Sequence, residues 1–206
     1  MYWYVDASFA VHNNMRSHTG AVILFGLGAA LSMSTKQKIN MKSSTEAELV
    51  GVDDSLPFNI WCLYFLQEQG YRGQSSNPQD AQELKFLGDK NILYQDNTSS
   101  IKLETNGKAS STKRTRHINI RYFLVTDKIQ KGEINTVECC PTEEMIADYF
   151  TKPLQGGQFK RFRNQIMGLS EEEFTAYKMA YEAARKKRGT ARSIDTVEAS
   201  RPEEMT

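Results

Sequence analysis

Hydrophobic and polar residues alternate near the start of the chain as they do in short β-strands. On an extended strand over residues 2–6, Tyr2, Tyr4 and Asp6 share one face, and Trp3 and Val5 share the other. After a polar loop, SFAVHNNMRSHTG, the segments AVILFGL and AALSMS indicate two antiparallel strands that turn at GLG. The chain is therefore predicted to begin with three consecutive strands.

A long amphipathic helix is predicted next, in the segment SSTEAELVGVDDSLPFNIWCLYFLQEQG. Its apolar residues recur at helical spacing: Leu49, Val52, Leu56, Ile60 and Leu63. The first turn contains two possible capping boxes, Ser43 with Glu46 and Thr45 with Glu48. Pro57 lies inside the pattern and is expected to kink the helix.

Shorter elements fill the rest of the chain. NILYQDN predicts a strand, TSSIKLETNG a helix, KASSTKRTRH a basic loop, INIRYFLVTDKIQKGE a helix and INTVECC a strand. TEEMIADYFTKPL predicts a helix that is capped at Thr142 and ended by Pro153, and GQFKRFRNQIMGL predicts a short basic helix. Residues 71–90 are polar and predict an exposed loop, while residues 190–206 lack periodicity and are expected to fray.

Composition limits the class of protein. With 206 residues, of which 39% are hydrophobic and 25% charged, most of the chain should fold around its own core. The formal net charge is +1, so a nucleic-acid surface would depend on local clusters of basic residues. Three cysteines without a C-x-x-C pair indicate neither a disulfide framework nor a zinc site. No signal peptide and no membrane-spanning segment are predicted.

Carboxylates at the ends of predicted elements are the candidate chemistry. Asp6 and Asp96 end apolar strands, Asp148 lies among apolar neighbours in MIADYF, and Glu46 or Glu48 lies in the first turn of the long helix. Buried together, such groups would repel one another and have raised pKa values. Divalent cations remove this cost, because Mg²⁺ takes oxygen ligands, and two ions about 3.5–4 Å apart can clamp the attacking and leaving oxygens of a phosphodiester.

Each acid also has a structural interpretation. Asp96 can cap the helix that follows it, Asp148 can lie on an exposed helix face, and Asp6 can be purely structural. Glu46 and Glu48 can interact with the helix dipole in the first turn. Judged by spacing alone, the metal site is the less favoured interpretation.

Six segments change this balance when they are taken together: YVDAS, SHTGAVILFG, STKQKINMKSSTEAELVG, YQDNTSSIKLE, KRTRHINIRYFLVTDKI and IADYFTKPLQG. In this order and at these spacings they resemble the ribonuclease H domain of copia-type retrotransposon polyproteins, over residues 2–168. SSTEAE and ADYFTKPL are highly specific to that family, whereas DN or DAS alone is a weak signal.

The resemblance implies an α/β ribonuclease H-like fold over residues 1–168, with a five-stranded mixed sheet whose first three strands are antiparallel and which helices flank. We expect residues 169–206 to form a helical and then disordered extension. The implied reaction is endonucleolytic hydrolysis of the RNA strand of an RNA–DNA hybrid, driven by two Mg²⁺ (or Mn²⁺) ions during reverse transcription. The resemblance assigns the catalytic and metal-binding roles to Asp6, Glu48, Asp96 and Asp148.

Two features of this assignment concern single residues. Helical periodicity cannot choose between Glu46 and Glu48, but the family pattern, an acid directly before Leu in AEL, favours Glu48 and leaves Glu46 as a capping residue. Cellular proteins of this fold carry a histidine in the loop before the last catalytic helix, and the loop here, CCPTEEM, contains none. His117 lies much earlier, in KRTRHINIRY, where a structural or substrate-facing role is favoured over proton transfer.

Basic and polar residues predict how a hybrid would be held. Residues 108–131 carry seven lysines and arginines against one acid, which favours phosphate binding without base readout, although a solvated helix face is the alternative. The candidate phosphate contacts are Lys113, Arg114, Arg116, His117 and Arg121. The candidate contacts to the hybrid's 2′-hydroxyl groups are Ser8, Asn97, Thr98 and Ser99, of which Asn97 and Ser99 can equally be helix caps.

Two other functions stay open at this point. One is a non-catalytic polyprotein remnant that binds hybrids or a partner polymerase, and the other is an integrase-like nuclease of the same fold. Family members act beside a reverse transcriptase domain that grips the hybrid, so we expect either a fragment of a polyprotein or a gene-model remnant. The expected partner is that domain, and we expect weak activity in isolation. The expected location is intracellular, in cytoplasmic virus-like particles or in the nucleus, with no membrane involved.

Overall fold

The structure is a computed structural model that describes residues 1–70, 91–107, 119–170, 172–173, 175–176 and 179. The chain divides into two compact units, Met1–Gly168 and Leu169–Thr206, and in the second unit the described residues from 172 onward are helical. The predicted loop at 71–90, the basic loop KASSTKRTRH and the fraying expected at 190–206 lie outside the described residues. Within the described part of the chain, no helix combines the length and the apolar character needed to cross a membrane.

Five strands in the described residues form one mixed sheet, in the order β3-β2-β1-β4-β5. The strands are β1 (Tyr2–Ser8), β2 (His18–Leu24), β3 (Ala29–Lys36), β4 (Ile92–Gln95) and β5 (Thr136–Cys139). The first three strands pair antiparallel, whereas β4 runs parallel to both β1 and β5. The five-stranded mixed sheet that the resemblance implies is therefore confirmed.

Helices follow the strands along the chain. They are α1 (Ser44–Glu68), α2 (Thr98–Asn106), α3 (Asn119–Gln130), α4 (Asp148–Thr151) and α5 (Gly156–Met167). α1 continues through Pro57, and its N-cap is Ser43, whose hydroxyl oxygen accepts a hydrogen bond from the Glu46 N–H. The alternative box that begins at Thr45 is therefore wrong.

Trp3 and Val5 place one face of β1 in the main core, as the alternating pattern predicts. Both side chains are fully buried and pack in one cluster with Val52 and Leu56 of α1 and with Val125 of α3. Full burial of such a side chain contributes about 1.5–3 kcal/mol. A one-residue slip of β1 would turn these side chains outward, so their burial fixes the register and with it the position of Asp6.

Two predicted boundaries are wrong, and both affect the site described below. The predicted loop SFAVHNNMRSHTG is too long at both ends, because β1 continues past Asp6 to Ser8 and the last three loop residues already pair with β1 and β3 as the start of β2. The helix predicted over TEEMIADYFTKPL is split into two elements, a 3₁₀ turn (Thr142–Glu144) and α4. Thr142 caps neither element. The residues between the two, 145–147, are all buried, and three consecutive residues cannot all face the core from one amphipathic helix.

Candidate metal centre

The carboxylates meet where β1 ends. β1 and β4 are parallel neighbours, with Tyr4 opposite Tyr94. Continuing this register by two residues places Asp6 beside Asp96, because the carboxyl ends of parallel strands lie at the same edge of a sheet. Parallel pairing therefore brings together Asp6, near the end of β1, and Asp96, directly after β4.

α4 supplies a third carboxylate next to Asp6. On the other side of β1, Asp6 is opposite Gly20 of β2. A Cβ atom at Gly20 would lie 2.8 Å from the carbonyl oxygen of Ala147 and 2.9 Å from Cβ of Phe150. α4 thus packs on bare backbone at Gly20, and this close approach brings the buried Asp148 beside Asp6.

The three aspartates form a compact cluster. One carboxylate oxygen from each of Asp6, Asp96 and Asp148 lies within 4.8 Å of the other two. Asp6 and Asp148 are buried, at 2% and 1% exposure, whereas Asp96 is partly exposed. The cluster therefore opens to solvent on the side of Asp96, and the interpretation of Asp148 as an exposed helix-face residue is wrong.

Glu48 approaches the cluster from α1. Its side chain is buried, and its carboxylate accepts a hydrogen bond from the backbone N–H of Ala7, at the end of β1. Its Oε2 atom is buried and has no hydrogen-bond partner among the described residues. Glu46, in contrast, accepts a hydrogen bond from the Lys42 N–H at the start of α1. The structure thus separates the two glutamates that periodicity cannot distinguish.

Residues at the end of α4 bind the aspartates directly. The Thr151 hydroxyl donates a hydrogen bond to Oδ2 of Asp6. Nζ of Lys152 lies 2.7 Å from Oδ1 of Asp148 and 3.6 Å from Oδ1 of Asp6. The carboxylate cluster therefore has both a hydrogen-bond donor and a cation supplied by the same short segment.

Burial and mutual repulsion raise the pKa values of three of the acids. Burial, followed by the charges of Asp6 and Asp96, raises the pKa of Glu48 well above its usual value. Burial and the charge of Asp6 also raise the pKa of Asp96. Burial raises the pKa of Asp148 to about 6, although the hydrogen bond from Lys152 acts in the opposite direction. Nearby positive charge is needed to keep all of these groups ionised at neutral pH.

The donor set fits a divalent cation. Carboxylates offer only oxygen ligands, the type that Mg²⁺ and Mn²⁺ prefer. Among the described residues, no group donates a hydrogen bond to the buried Oε2 atom of Glu48, which is costly unless a cation or another group binds it. Both observations fit a cation centre formed by Asp6, Asp96 and Asp148 with Glu48 beside them.

The predicted 2′-hydroxyl contacts lie near the cluster, and two of them already have structural partners. The Ser8 hydroxyl donates a hydrogen bond of 3.0 Å to the carbonyl oxygen of Thr151. The Asn97 side chain caps α2 by accepting hydrogen bonds from the backbone N–H groups of Ser99 and Ser100. Thr98 and Ser99 are exposed in the first turn of that helix, two and three residues after Asp96. Of this set, the hydroxyl groups of Thr98 and Ser99 are therefore the most accessible.

The described part of the basic segment is paired with acids. Arg121 of α3 forms a 2.6 Å ion pair with Asp53 of α1, and each side chain is 25% exposed. Two further lysines of this segment pair with acids close to them in sequence: Lys128 with Glu133 and Lys131 with Asp127. The other predicted phosphate contacts lie outside the described residues: Lys113, Arg114, Arg116 and His117. Phosphate binding by this segment therefore stays a prediction.

Several residues around the centre are missed by sequence reasoning. Lys152 follows Asp148 at the i+4 spacing of a helical ion pair, and this signal is present in ADYFTK. A second group has no such signal: Nε2 of His12 lies 3.0 Å from Nδ1 of His18, and Nε2 of His18 lies 2.8 Å from Oγ of Ser34. Ser34 in turn donates a hydrogen bond to the carbonyl oxygen of Phe150 in α4. This chain of hydrogen bonds joins three separate segments, which no local pattern brings together.

Curated relatives of the chain are transposon polyproteins. It is 28% identical over 167 residues, 81% of its length, to the retrovirus-related Pol polyprotein from transposon TNT 1-94 of Nicotiana tabacum. It is 29% identical over 164 residues, 79% of its length, to the corresponding polyprotein from transposon RE1 of Arabidopsis thaliana. The aligned region spans only 11% and 10% of these relatives. No protein-family model matches the chain. The resemblance to retrotransposon Pol polyproteins is confirmed by these relatives.

Two solved structures are also similar to the chain. The N-terminal RNase H domain of rv2228c from Mycobacterium tuberculosis, solved as a fusion with maltose-binding protein, is 11% identical with a TM-score of 0.42, covering 78% of this chain and 96% of that one. RNase H1 from Halobacterium salinarum NRC-1 is 16% identical with a TM-score of 0.39, and the match covers 68% of this chain and 85% of that one.

Proposed function

We propose that this chain, a homologue of copia-type Pol polyproteins with a ribonuclease H-like fold, is a ribonuclease H that cuts the RNA strand of RNA–DNA hybrids during reverse transcription. The observation that carries the proposal is the convergence of Asp6, Asp96 and Asp148 within 4.8 Å, with the buried Glu48 beside them. Buried acids that are distant along the chain converge at little cost only where cations bind them.

The acids have distinct tasks in this proposal. Asp6, Glu48, Asp96 and Asp148 hold two Mg²⁺ or Mn²⁺ ions. When bound, such ions stabilise the negative charge that develops on the attacking and leaving oxygens of the phosphodiester. The Thr151 hydroxyl orients Asp6 through its hydrogen bond to Oδ2, and the partly exposed Asp96 lies on the side from which a substrate can approach.

Polar and basic residues next to the centre are proposed to hold the hybrid. Thr98 and Ser99 are exposed two and three residues after Asp96, and their hydroxyl groups are assigned to 2′-hydroxyl groups of the hybrid, which distinguish RNA from DNA. Ser8 and Asn97 are close by, but both also have structural partners. Phosphates along the hybrid are assigned to the basic segment: Lys113, Arg114, Arg116, His117 and Arg121.

A reverse transcriptase domain of the same polyprotein is the proposed partner. The chain spans about a tenth of the length of the curated relatives it matches, so most of those polyproteins has no counterpart here. A neighbouring domain would add grip on the hybrid, and we therefore expect weak cleavage by this chain alone. Its proposed place of action is the cytoplasmic virus-like particle or the nucleus.

The test is cleavage of an RNA–DNA hybrid whose RNA strand is labelled at one end. We expect slow internal cleavage that depends on Mg²⁺ or Mn²⁺, stops with EDTA, and leaves a 3′-hydroxyl and a 5′-phosphate. Asp96→Asn should abolish cleavage while leaving folding and hybrid binding intact, because it removes one ligand charge and preserves the shape of the side chain. Asp54→Asn, the same substitution at an exposed position of α1, is the matched control and should retain cleavage.

Other outcomes identify other functions. Binding of the hybrid without cleavage, even with enzyme in excess over substrate, would contradict the proposal and favour a non-catalytic remnant. Cleavage or joining at DNA ends without hybrid cleavage would favour an integrase-like nuclease. Equal cutting of double-stranded RNA and hybrid would overturn the substrate assignment but not the metal centre.

A further inference from the structure

Lys152 places a cation inside the carboxylate cluster. Its Nζ atom is 2.7 Å from Oδ1 of Asp148 and 3.6 Å from Oδ1 of Asp6. The side chain of Asp148 is only 2% exposed and that of Asp6 only 3%, whereas the Lys152 side chain is 36% exposed. The lysine charge also lowers the pKa values of Glu48 and Asp96, against the effect of burial. It therefore acts on every acid assigned to the centre.

The backbone of Lys152 is held in place by its neighbours. α4 ends at Thr151, and Lys152 is extended, with φ −121° and ψ 145°, as expected directly before Pro153. Its N–H donates a hydrogen bond to the carbonyl oxygen of Asp148. The exposed part of the side chain leaves room for the ammonium group to swing toward solvent while the backbone stays fixed.

The ammonium group and a divalent cation need the same oxygen atoms. A cation coordinated by Asp148 and Asp6 would approach the oxygens that Nζ already contacts. Positive charges this close repel strongly where water is largely excluded. Both cannot occupy these oxygens with favourable contacts, so one must give way to the other.

We propose that Lys152 is a built-in counter-ion, which holds the carboxylates together before divalent ions bind and is displaced from Asp148 when they do. It is a positioning residue that stabilises the metal-free protein and weakens the binding of the ion that displaces it. The inference rests on the proposed function only in treating these carboxylates as ligands for divalent cations.

The first half of the proposal is tested by unfolding in EDTA. Lys152→Met keeps the aliphatic stem and removes the charge, and we expect its melting temperature to fall by about 2–4 °C, the shift that the loss of one partly buried ion pair produces in a domain of this size. In an Asp148→Asn background, Lys152→Met should lower the melting temperature much less. Lys160→Met, at an exposed position of α5, is the matched control and should have no effect. Equal losses in both backgrounds would overturn the counter-ion role.

The second half is tested by titrating the metal-free protein with Mn²⁺ in a calorimeter. We expect Lys152→Met to bind Mn²⁺ about tenfold more tightly than the wild type, because a competing charge is gone. Lys152→Arg, which keeps the charge, should stay near the wild-type affinity, and Lys152→Gln replaces the Met variant if that variant does not fold.

The outcomes separate this inference from the proposed function. Unchanged or weaker Mn²⁺ binding by Lys152→Met, with normal binding by the wild type, overturns the competition and leaves the ribonuclease proposal intact. Absence of Mn²⁺ binding by the wild type and by Asp96→Asn alike overturns the metal centre and the competition together.

Discussion

Gly20 is the position where one added methyl group should disturb the candidate centre most directly. A Cβ atom there would lie 2.7 Å from Cγ2 of Thr151, 2.8 Å from the carbonyl oxygen of Ala147 and 2.9 Å from Cβ of Phe150. One of these atoms belongs to the backbone, so no change of rotamer relieves all three contacts. In Gly20→Ala, α4 has to move away from β2, and Asp148 moves with it.

The size of the effect follows from two opposing contributions. Overpacking a close contact costs about 1–3 kcal/mol, while replacing glycine by alanine stabilises by about 0.4–1 kcal/mol through the unfolded chain. We therefore expect a net loss of about 1–2 kcal/mol in the free energy of unfolding. Gly26→Ala is the matched control, because a Cβ atom at Gly26 meets no atom within 4 Å. It should be neutral or slightly stabilising.

Urea unfolding in EDTA measures the stability of both variants, and a second series with Mn²⁺ measures how much the ion stabilises each. Gly20→Ala should lose stability in EDTA and also lose most of the Mn²⁺-dependent gain, because its carboxylates no longer converge. The reasoning would be refuted by a Gly20→Ala protein that is as stable as Gly26→Ala and gains as much from Mn²⁺.

Three further changes concern other buried or paired side chains: Glu104, which is fully buried in α2, Arg121 of α3 and Thr151 of α4. Burial raises the pKa of Glu104 well above its usual value, so folding favours its protonated form, and wild-type stability should fall as the pH rises through the interval between its unfolded and folded pKa values. Glu104→Gln should remove this fall, with a higher urea midpoint at mildly alkaline pH and no gain at acidic pH. Arg121→Met should lower the free energy of unfolding by about 1 kcal/mol or less, since its pair with Asp53 is partly exposed. If Arg121 also contacts phosphate, the plot of the logarithm of the hybrid-binding constant against the logarithm of the salt concentration should have a slope reduced by about one. Thr151→Val keeps the shape but removes the hydrogen bond to Asp6, and calorimetry should show weaker Mn²⁺ binding with cooperative unfolding retained.

Part of the site is accessible to sequence reasoning because it depends on local patterns. The alternation of Trp3 and Val5 with polar residues fixes which face of β1 meets the core, and hence where Asp6 points. Asp96 follows a short apolar strand, and parallel pairing then brings the two acids together. The family motif AEL, rather than helical periodicity, is what distinguishes Glu48 from Glu46.

The rest depends on contacts between segments that are distant along the chain. Asp148 lies in a stretch that reads as one continuous helix, but core packing of residues 145–147 splits it, so the environment of Asp148 is set by tertiary structure. The need for glycine at Gly20 becomes visible only once α4 is seen to pack against it. The hydrogen bonds from His12 through His18 and Ser34 to α4 have no local signal at all.

The central claim is that Asp6 of β1, Glu48 of α1, Asp96 directly after β4 and Asp148 of α4 form a divalent cation site. It is tested most directly by a crystal structure of the chain soaked with Mn²⁺. We predict anomalous density in contact with the carboxylates of Asp6, Asp96 and Asp148, and its loss in Asp96→Asn. Carboxylates that converge in the crystal but hold no Mn²⁺, or Mn²⁺ bound only elsewhere on the protein, would contradict the account.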